Sequence, residues 1–112
     1  MENPKFVVFT GKDDQYYFRL TARNGETILS SEGYTSKSGC MNGIESVKEN
    51  SANDEQFKKS TSADGQFYFN LVAKNGEIIG KSETYTSENG RDNGIEAVIS
   101  VASDAPIEDQ TE

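Results

Sequence analysis

The chain has no histidine and no tryptophan, and only one cysteine and two prolines in 112 residues. Without histidine, the usual general base, the Ser-His and Cys-His nucleophile pairs and the commonest transition-metal ligand are all missing. Most hydrolase chemistries are thereby excluded. The single Cys40 forbids an intramolecular disulfide, a Cys-only zinc site and a Cys-X-X-Cys redox pair. No apolar run approaches the roughly 20 residues of a membrane span. The opening Met1-Glu2-Asn3-Pro4-Lys5 has neither the basic region nor the apolar stretch of a signal peptide. These features lead us to expect a cytoplasmic protein with no membrane partner, no metal and no cofactor.

Basic residues are also scarce, with 11 Lys and Arg against 19 Asp and Glu and a net charge of −8. That balance opposes the nonspecific phosphate attraction behind most nucleic-acid affinity, so duplex DNA is not an expected ligand. Residues 104–112 carry four of the acids and no base. Hydrophobic content is low at 33%, but eleven aromatics and regularly spaced Val, Ile and Leu keep the chain out of the disordered class. At this length a single domain is expected, burying roughly 60–70% of its unfolded surface.

What the chain does have is itself, twice. The segment from Tyr17 to Val47 recurs without a gap from Tyr68 to Val98, at a constant offset of 51. Tyr-Phe, Leu, Ala, Asn-Gly-Glu, Ile, Ser-Glu, Tyr-Thr-Ser, Gly, Asn-Gly-Ile-Glu and Val are the same in both copies. A duplicated unit points to a pseudo-symmetric fold. Each copy opens on a strand pattern, Phe6 to Thr10 and Phe57 to Thr61. An alternating segment follows in each, Gln15 to Ala22 and Gln66 to Ala73. Asn24-Gly25 and Asn75-Gly76 then read as two-residue hairpin turns with positive φ at both positions, returning through Glu26 to Glu32 and Glu77 to Glu83.

After each meander, Thr35 or Ser36 and Thr86 or Ser87 can cap a helix. Cys40, Ile44 and Val47 in the first copy, and Ile95, Val98 and Ala102 in the second, then make one apolar stripe per helix. Gly39, Gly43, Gly90 and Gly94 inside these helices each cost about 1 kcal/mol of propensity. Close packing on the sheet is the expected offset, with Asn42 and Asn93 bonding a neighbouring loop or strand end. Ile107-x-x-x-Thr111 echoes Phe6-x-x-x-Thr10 and Phe57-x-x-x-Thr61, which predicts a last strand returning to the first unit. The organisation is then repeat one over about 1–55, repeat two over about 56–103 and a closing strand over about 106–111.

Tyr-Phe-x-Leu-x-Ala-x-Asn-Gly-Glu at 17–26, Ser-Glu-x-Tyr-Thr-Ser at 31–36 and Asn-Gly-Ile-Glu-Ser-Val at 42–47 together resemble the YegP-like bacterial family in its tandem form. The resemblance covers nearly the whole chain. It implies an α+β fold: two β-β-β-α-β repeats forming one antiparallel sheet, both helices on one face, and C-terminal strands exchanged between the units. It implies no activity and brings no catalytic residues with it. Cys40 and Met41 stand where the second helix has Arg91 and Asp92, so the two helices cannot present the same surface.

The candidate sites each have a plain structural alternative. If Phe18, Leu20, Phe69 and Leu71 face the helices, alternation turns Tyr17, Arg19, Arg23, Tyr68, Asn70 and Lys74 to the uncovered side. This would be an aromatic and basic face on an acidic protein, of the kind that holds unpaired bases or anionic ligands. The alternative is an ordinary solvated sheet surface. Asn42 and Asn93 form a second candidate, a polar notch on each helix, or else a packing requirement of the repeat. Tyr34 and Tyr85 read as corner packing or as functional phenols. Cys40 reads as a buried small side chain or a redox sensor. Asp13-Asp14 and Asp54-Glu55 lack the spaced oxygen-ligand loop of a calcium site.

Two functional readings follow. One is a small non-enzymatic binding or accessory module whose open face takes a protein, a peptide or an anionic ligand, single-stranded nucleic acid included. The other is a small enzyme with a Tyr, Arg and carboxylate site. The loops are short and nearly alike in both copies, which favours the first. Because the second copy supplies the pairing that one unit would seek in another molecule, a monomer is expected.

Overall fold

The structure is a computed structural model and describes residues 2–111. Its strands are β1 (Lys5–Thr10), β2 (Tyr16–Thr21), β3 (Thr27–Ser30), β4 (Phe57–Thr61), β5 (Phe67–Val72), β6 (Ile78–Lys81) and β7 (Ile107–Asp109). Two 14-residue helices, α1 (Lys37–Asn50) and α2 (Glu88–Val101), follow the two meanders. Ser36 and Ser87 are the N-caps, each accepting at 3.0 Å from the backbone N–H of Gly39 or Gly90.

The strands form one seven-stranded sheet in the order β4-β5-β6-β3-β2-β1-β7. The two meanders meet at β3 and β6, where Ser30 faces Lys81 in antiparallel pairing. These two residues are repeat equivalents, so the pseudo-twofold axis passes between them. β7 returns to the first unit, as the sequence suggests, but runs parallel to β1 with Phe6 beside Ile107. The sheet is therefore mixed and not wholly antiparallel. The connection explains the direction: α2 lies against β3 and β5, and the chain leaving its C-terminus enters the far edge on the same heading as β1.

The turns differ from the two-residue form that their sequences predict. Gly25, Gly65 and Gly76 have φ of 84 to 88°, while Asn24 and Asn75 keep negative φ. Ala22 accepts from the Gly25 N–H and donates to the Glu26 carbonyl, giving a type I turn closed by a glycine bulge.

Both helices lie on one face, α1 over β2, β5 and β6 and α2 over β3 and β5. Each helix thus packs across both repeats. Phe6, Val8, Phe18, Leu20, Leu29, Phe69 and Leu71 from the strands and Ile44, Val47, Ile95 and Val98 from the helices form one buried cluster. Full burial of each such side chain contributes about 1.5–3 kcal/mol. Cys40 belongs to this cluster, and burial raises its thiol pKa. Among the described residues, no helix is long and apolar enough to cross a membrane.

Candidate functional site: the uncovered sheet face

With Phe18, Leu20, Phe69 and Leu71 turned to the helices, the alternate residues of each strand point away from them. The strand registers align them into a row running across the whole sheet. From β4 to β7 it reads Lys58, Asn70, Lys81, Ser30, Arg19, Val7 and Glu108. Neighbouring strands lie about 4.8 Å apart, so five consecutive strands present three cations and two small polar groups along about 19 Å. Asn70 is half-buried between Lys58 and Lys81, and its Oδ1 is buried without a hydrogen-bond partner. An unmet acceptor of this kind has the desolvation cost of a lost hydrogen bond.

Aromatic rings flank the row. On the first repeat, Phe9 and Tyr17 stack at 5.8 Å between centroids, and the Arg19 guanidinium lies 5.3 Å over the Phe9 ring. On the second, Lys81 Nζ lies 5.0 Å over the Tyr68 ring. Such cation–π contacts hold the charged heads close to the face. Tyr17 donates its hydroxyl to Asp13 Oδ2 at 2.6 Å, which lowers the Asp13 pKa and raises that of Tyr17. Ile78, the most exposed large apolar residue among the described residues at 47%, lies beside Val72 at the end of this face.

Four of the six expected face residues, Tyr17, Arg19, Tyr68 and Asn70, are where alternation places them. Arg23 and Lys74 are not. Each lies just past its strand, in the bulged turn, where the period of two has ended. Arg23 Nη1 donates to Ser100 Oγ on α2 at 3.5 Å. Lys74 lines a shallow hollow of about 570 Å3 with Ser46, Glu49 and Asn50 of α1. Both side chains serve the helical side. Their places on the face are taken by Lys58, Lys81, Ser30 and Phe9, which the same alternation in the flanking strands could have identified.

The helix notch is differently built. Asn42 and Asn93 are exposed and make no side-chain hydrogen bond among the described residues, contrary to the bonding role expected of them. The adjacent glycines carry the packing instead. A Cβ on Gly43 would stand 2.8 Å from Tyr34 Cζ, and one on Gly94 the same distance from Tyr85 Cζ. Tyr34 is pinned by paired backbone bonds with Tyr16, and Tyr85 by the same bonds with Phe67. Burial raises both phenol pKa values. Both tyrosines therefore fill the corner above the helix, the structural role expected of them. Among the described residues, no group of three or more His, Cys, Asp or Glu side chains converges on a metal site.

Comparison with known proteins places this architecture. The family model described as "Domain of unknown function (DUF1508)" matches twice, over residues 12–57 and 62–109. The chain is 46% identical over 102 residues to the "UPF0339 protein in ptx operon 5'region" of Stutzerimonas stutzeri, covering 91% of this chain and 92% of that protein. It is 43% identical over 106 residues to the UPF0339 protein YegP of Escherichia coli K12, covering 95% and 96% of the two. The solution NMR structure of E. coli yegP, a protein of unknown function, superposes with a TM-score of 0.93 at 41% identity, covering 99% of this chain and 96% of that one. The solution NMR structure of UPF0339 protein SO3888 from Shewanella oneidensis gives 0.90 at 45% identity, covering 96% and 91%. The chain belongs to the DUF1508 family, carrying two tandem copies of its domain as a relative of the UPF0339 and YegP proteins.

Proposed function

We propose that this protein is a small, monomeric, cytoplasmic and non-enzymatic binding module, and that its uncovered sheet face holds an anionic partner. The observation that carries this reading is the row Lys58, Asn70, Lys81, Ser30 and Arg19, flanked by Tyr68 on one side and Phe9 with Tyr17 on the other. Three cations stand together on a protein of net charge −8. Long-range attraction to an anion is therefore weak, and short-range contact decides binding. Duplex DNA, whose affinity rests on many phosphate contacts, is a poor fit.

The rings favour an extended single strand of nucleic acid within this class. Tyr17 and Tyr68 can stack bases while Lys58, Lys81 and Arg19 meet phosphates, at about 1–3 kcal/mol for each stacked base. The face is shallow, and Lys58 and Lys81 on it lie open to solvent, which supports binding over catalysis. The test is fluorescence anisotropy with a labelled seven-nucleotide oligothymidine and, separately, a labelled oligoglutamate peptide. Replacing Tyr17, Arg19 and Tyr68 together by Ser should leave the fold intact and weaken binding by at least about tenfold. Equal affinity in wild type and triple variant would refute the reading.

A further inference from the structure

The two ends of the sheet are repeat equivalents but are finished differently. At one end β7 covers the outer edge of β1, where the Phe6 N–H donates to the Pro106 carbonyl and the Gln110 N–H to the Val8 carbonyl, both at 2.8 Å. At the other end stands β4, with Phe57 in the place of Phe6 and Lys59 in that of Val8. Among the described residues β4 pairs only with β5. Its outward groups can be read from the ladder. Phe69, which faces Lys59, donates its N–H to Ser82 Oγ and accepts from the Ser82 N–H, so both its main-chain groups point to β6. Lys59 therefore directs its own N–H and carbonyl away from the sheet.

Beneath this edge, between β4 and α2, runs an open groove of about 240 Å3 lined by Asp54, Lys59, Asp92, Asn93, Ile95 and Glu96. It is the counterpart of the seat that β7 fills at the other end, where Val8 is paired with Asp109 and Lys37 in the first turn of α1 holds the Asp109 carboxylate. The charges of the two seats are opposite. β7 is held by Lys5, which bonds Glu108 at 3.1 Å, and by Lys37. The repeat equivalents of those lysines are Gln56 and Glu88. Three carboxylates line the groove; Asp92 is paired with Lys59 at 3.1 Å and with Arg91 at 3.3 Å, which leaves Asp54 and Glu96 to set its charge.

We infer that the outer edge of β4 receives an extended peptide segment of a partner protein, added parallel to β4. Its apolar residue takes the place of Ile107 over Ile95, and a lysine or arginine two residues later takes the place of Asp109 near Glu88. Main-chain bonds to Lys59 supply affinity, and the groove supplies sequence preference. A second copy of the chain is a poorer occupant, because pairing two β4 edges brings Lys58 and Lys59 of both molecules together, whereas the peptide adds one cation beside Lys59, whose ammonium Asp92 already pairs. This edge is separate from the open face and does not depend on it.

The test is an NMR titration of the isotope-labelled protein with two end-blocked peptides. One is Ala-Pro-Ile-Glu-Lys-Gln-Thr, and the other is Ala-Pro-Ile-Glu-Asp-Gln-Thr, the chain's own 105–111 sequence. The lysine peptide should shift the amides of Phe57 to Thr61 and bind at least about tenfold more tightly than the aspartate peptide. Lys59→Pro removes the outward N–H without breaking a ladder bond, and should abolish those shifts. Lys59→Ala keeps the N–H and should retain them. Glu88→Lys, an exposed change that leaves the strand untouched, should reverse the preference between the peptides. Four results would each overturn the inference: no shift over residues 57–61 up to about 1 mM peptide, equal affinity for both peptides, unchanged preference in Glu88→Lys, or a dimer that Lys59→Pro dissociates. The last would assign the edge to a second copy.

Discussion

Leu29 and Gly80 are the same position in the two repeats, and they meet at the junction between them. A Cβ on Gly80 would lie 2.7 Å from both Cγ and Cδ2 of Leu29. The Leu29 side chain, wholly buried, therefore occupies the space that a second leucine would need. Two bulky side chains cannot both sit beside the pseudo-twofold axis, and the duplication has settled this by making one copy large and the other a glycine.

Exchanging the two residues should demonstrate that complementarity. Leu29→Gly alone opens a cavity at a cost of at least the about 2–5 kcal/mol of a buried leucine truncation. Gly80→Leu alone overpacks the junction, by about 1–3 kcal/mol or more. The double exchange should be more stable than the sum of the single effects by about 0.5–3 kcal/mol. Urea unfolding of the four proteins checks this, and additive losses would show that the two sites do not share one space.

Gly43 should resist substitution for a related reason. Alanine gains about 1 kcal/mol of helix propensity, but its Cβ would press on the Tyr34 ring and come 3.1 Å from Phe18 Cε2. Overpacking of about 1–3 kcal/mol should win, so Gly43→Ala lowers the melting temperature. At Gly39 the nearest atom outside the helix backbone is the Ser36 hydroxyl at 3.1 Å, with the Tyr34 ring at 3.6 Å. There the propensity gain should offset the crowding, and a thermal melt of Gly39→Ala should show a smaller loss than Gly43→Ala.

The closing strand should loosen in acid. Lys37, then the Thr111 hydroxyl and N–H, hold the Asp109 pKa down to about 2. A carboxylate whose folded pKa is depressed contributes stability above its unfolded pKa of about 4 and loses it as pH falls toward the folded value. The Asp109 contribution should therefore vanish between about pH 4 and pH 2. Melting temperature against pH should fall less steeply through that window in Lys37→Met than in wild type. Deleting residues 104–112 removes β7 and should cost more than the about 0.5 kcal/mol of a neutral surface change.

Cys40 should be unreactive in the folded protein. It is fully buried, and its thiol is held above the ordinary cysteine pKa by desolvation. Thiol labelling should proceed only in denaturant; rapid labelling of the native protein would contradict the packing.

Much of the fold was legible because a repeat removes ambiguity: two copies of Tyr-Thr-Ser mark two helix starts, and of the Thr and Ser that could cap each helix the structure uses Ser36 and Ser87. Turn geometry was less legible, since Asn-Gly suits both a two-residue turn and the bulged turn that forms. The direction of β7 depends on where α2 leaves the chain, a tertiary matter absent from the local pattern. Of the site, Tyr17, Arg19, Tyr68 and Asn70 followed from alternation. Arg23 and Lys74 did not, because a period of two cannot be carried through a turn. The groove at β4 was invisible in the sequence, for it becomes apparent only when the two ends of the sheet are compared.

The open face is tested most directly by mapping amide shifts in the isotope-labelled protein on addition of the seven-nucleotide oligothymidine. Binding on the face predicts shifts concentrated at Tyr17, Arg19, Ser30, Lys58, Tyr68, Asn70 and Lys81, with α1 and α2 nearly silent. Replacing Tyr17, Arg19 and Tyr68 by Ser should erase them. Shifts centred on Asn42 and Asn93 that survive this triple change would contradict the account and give the site to the helices.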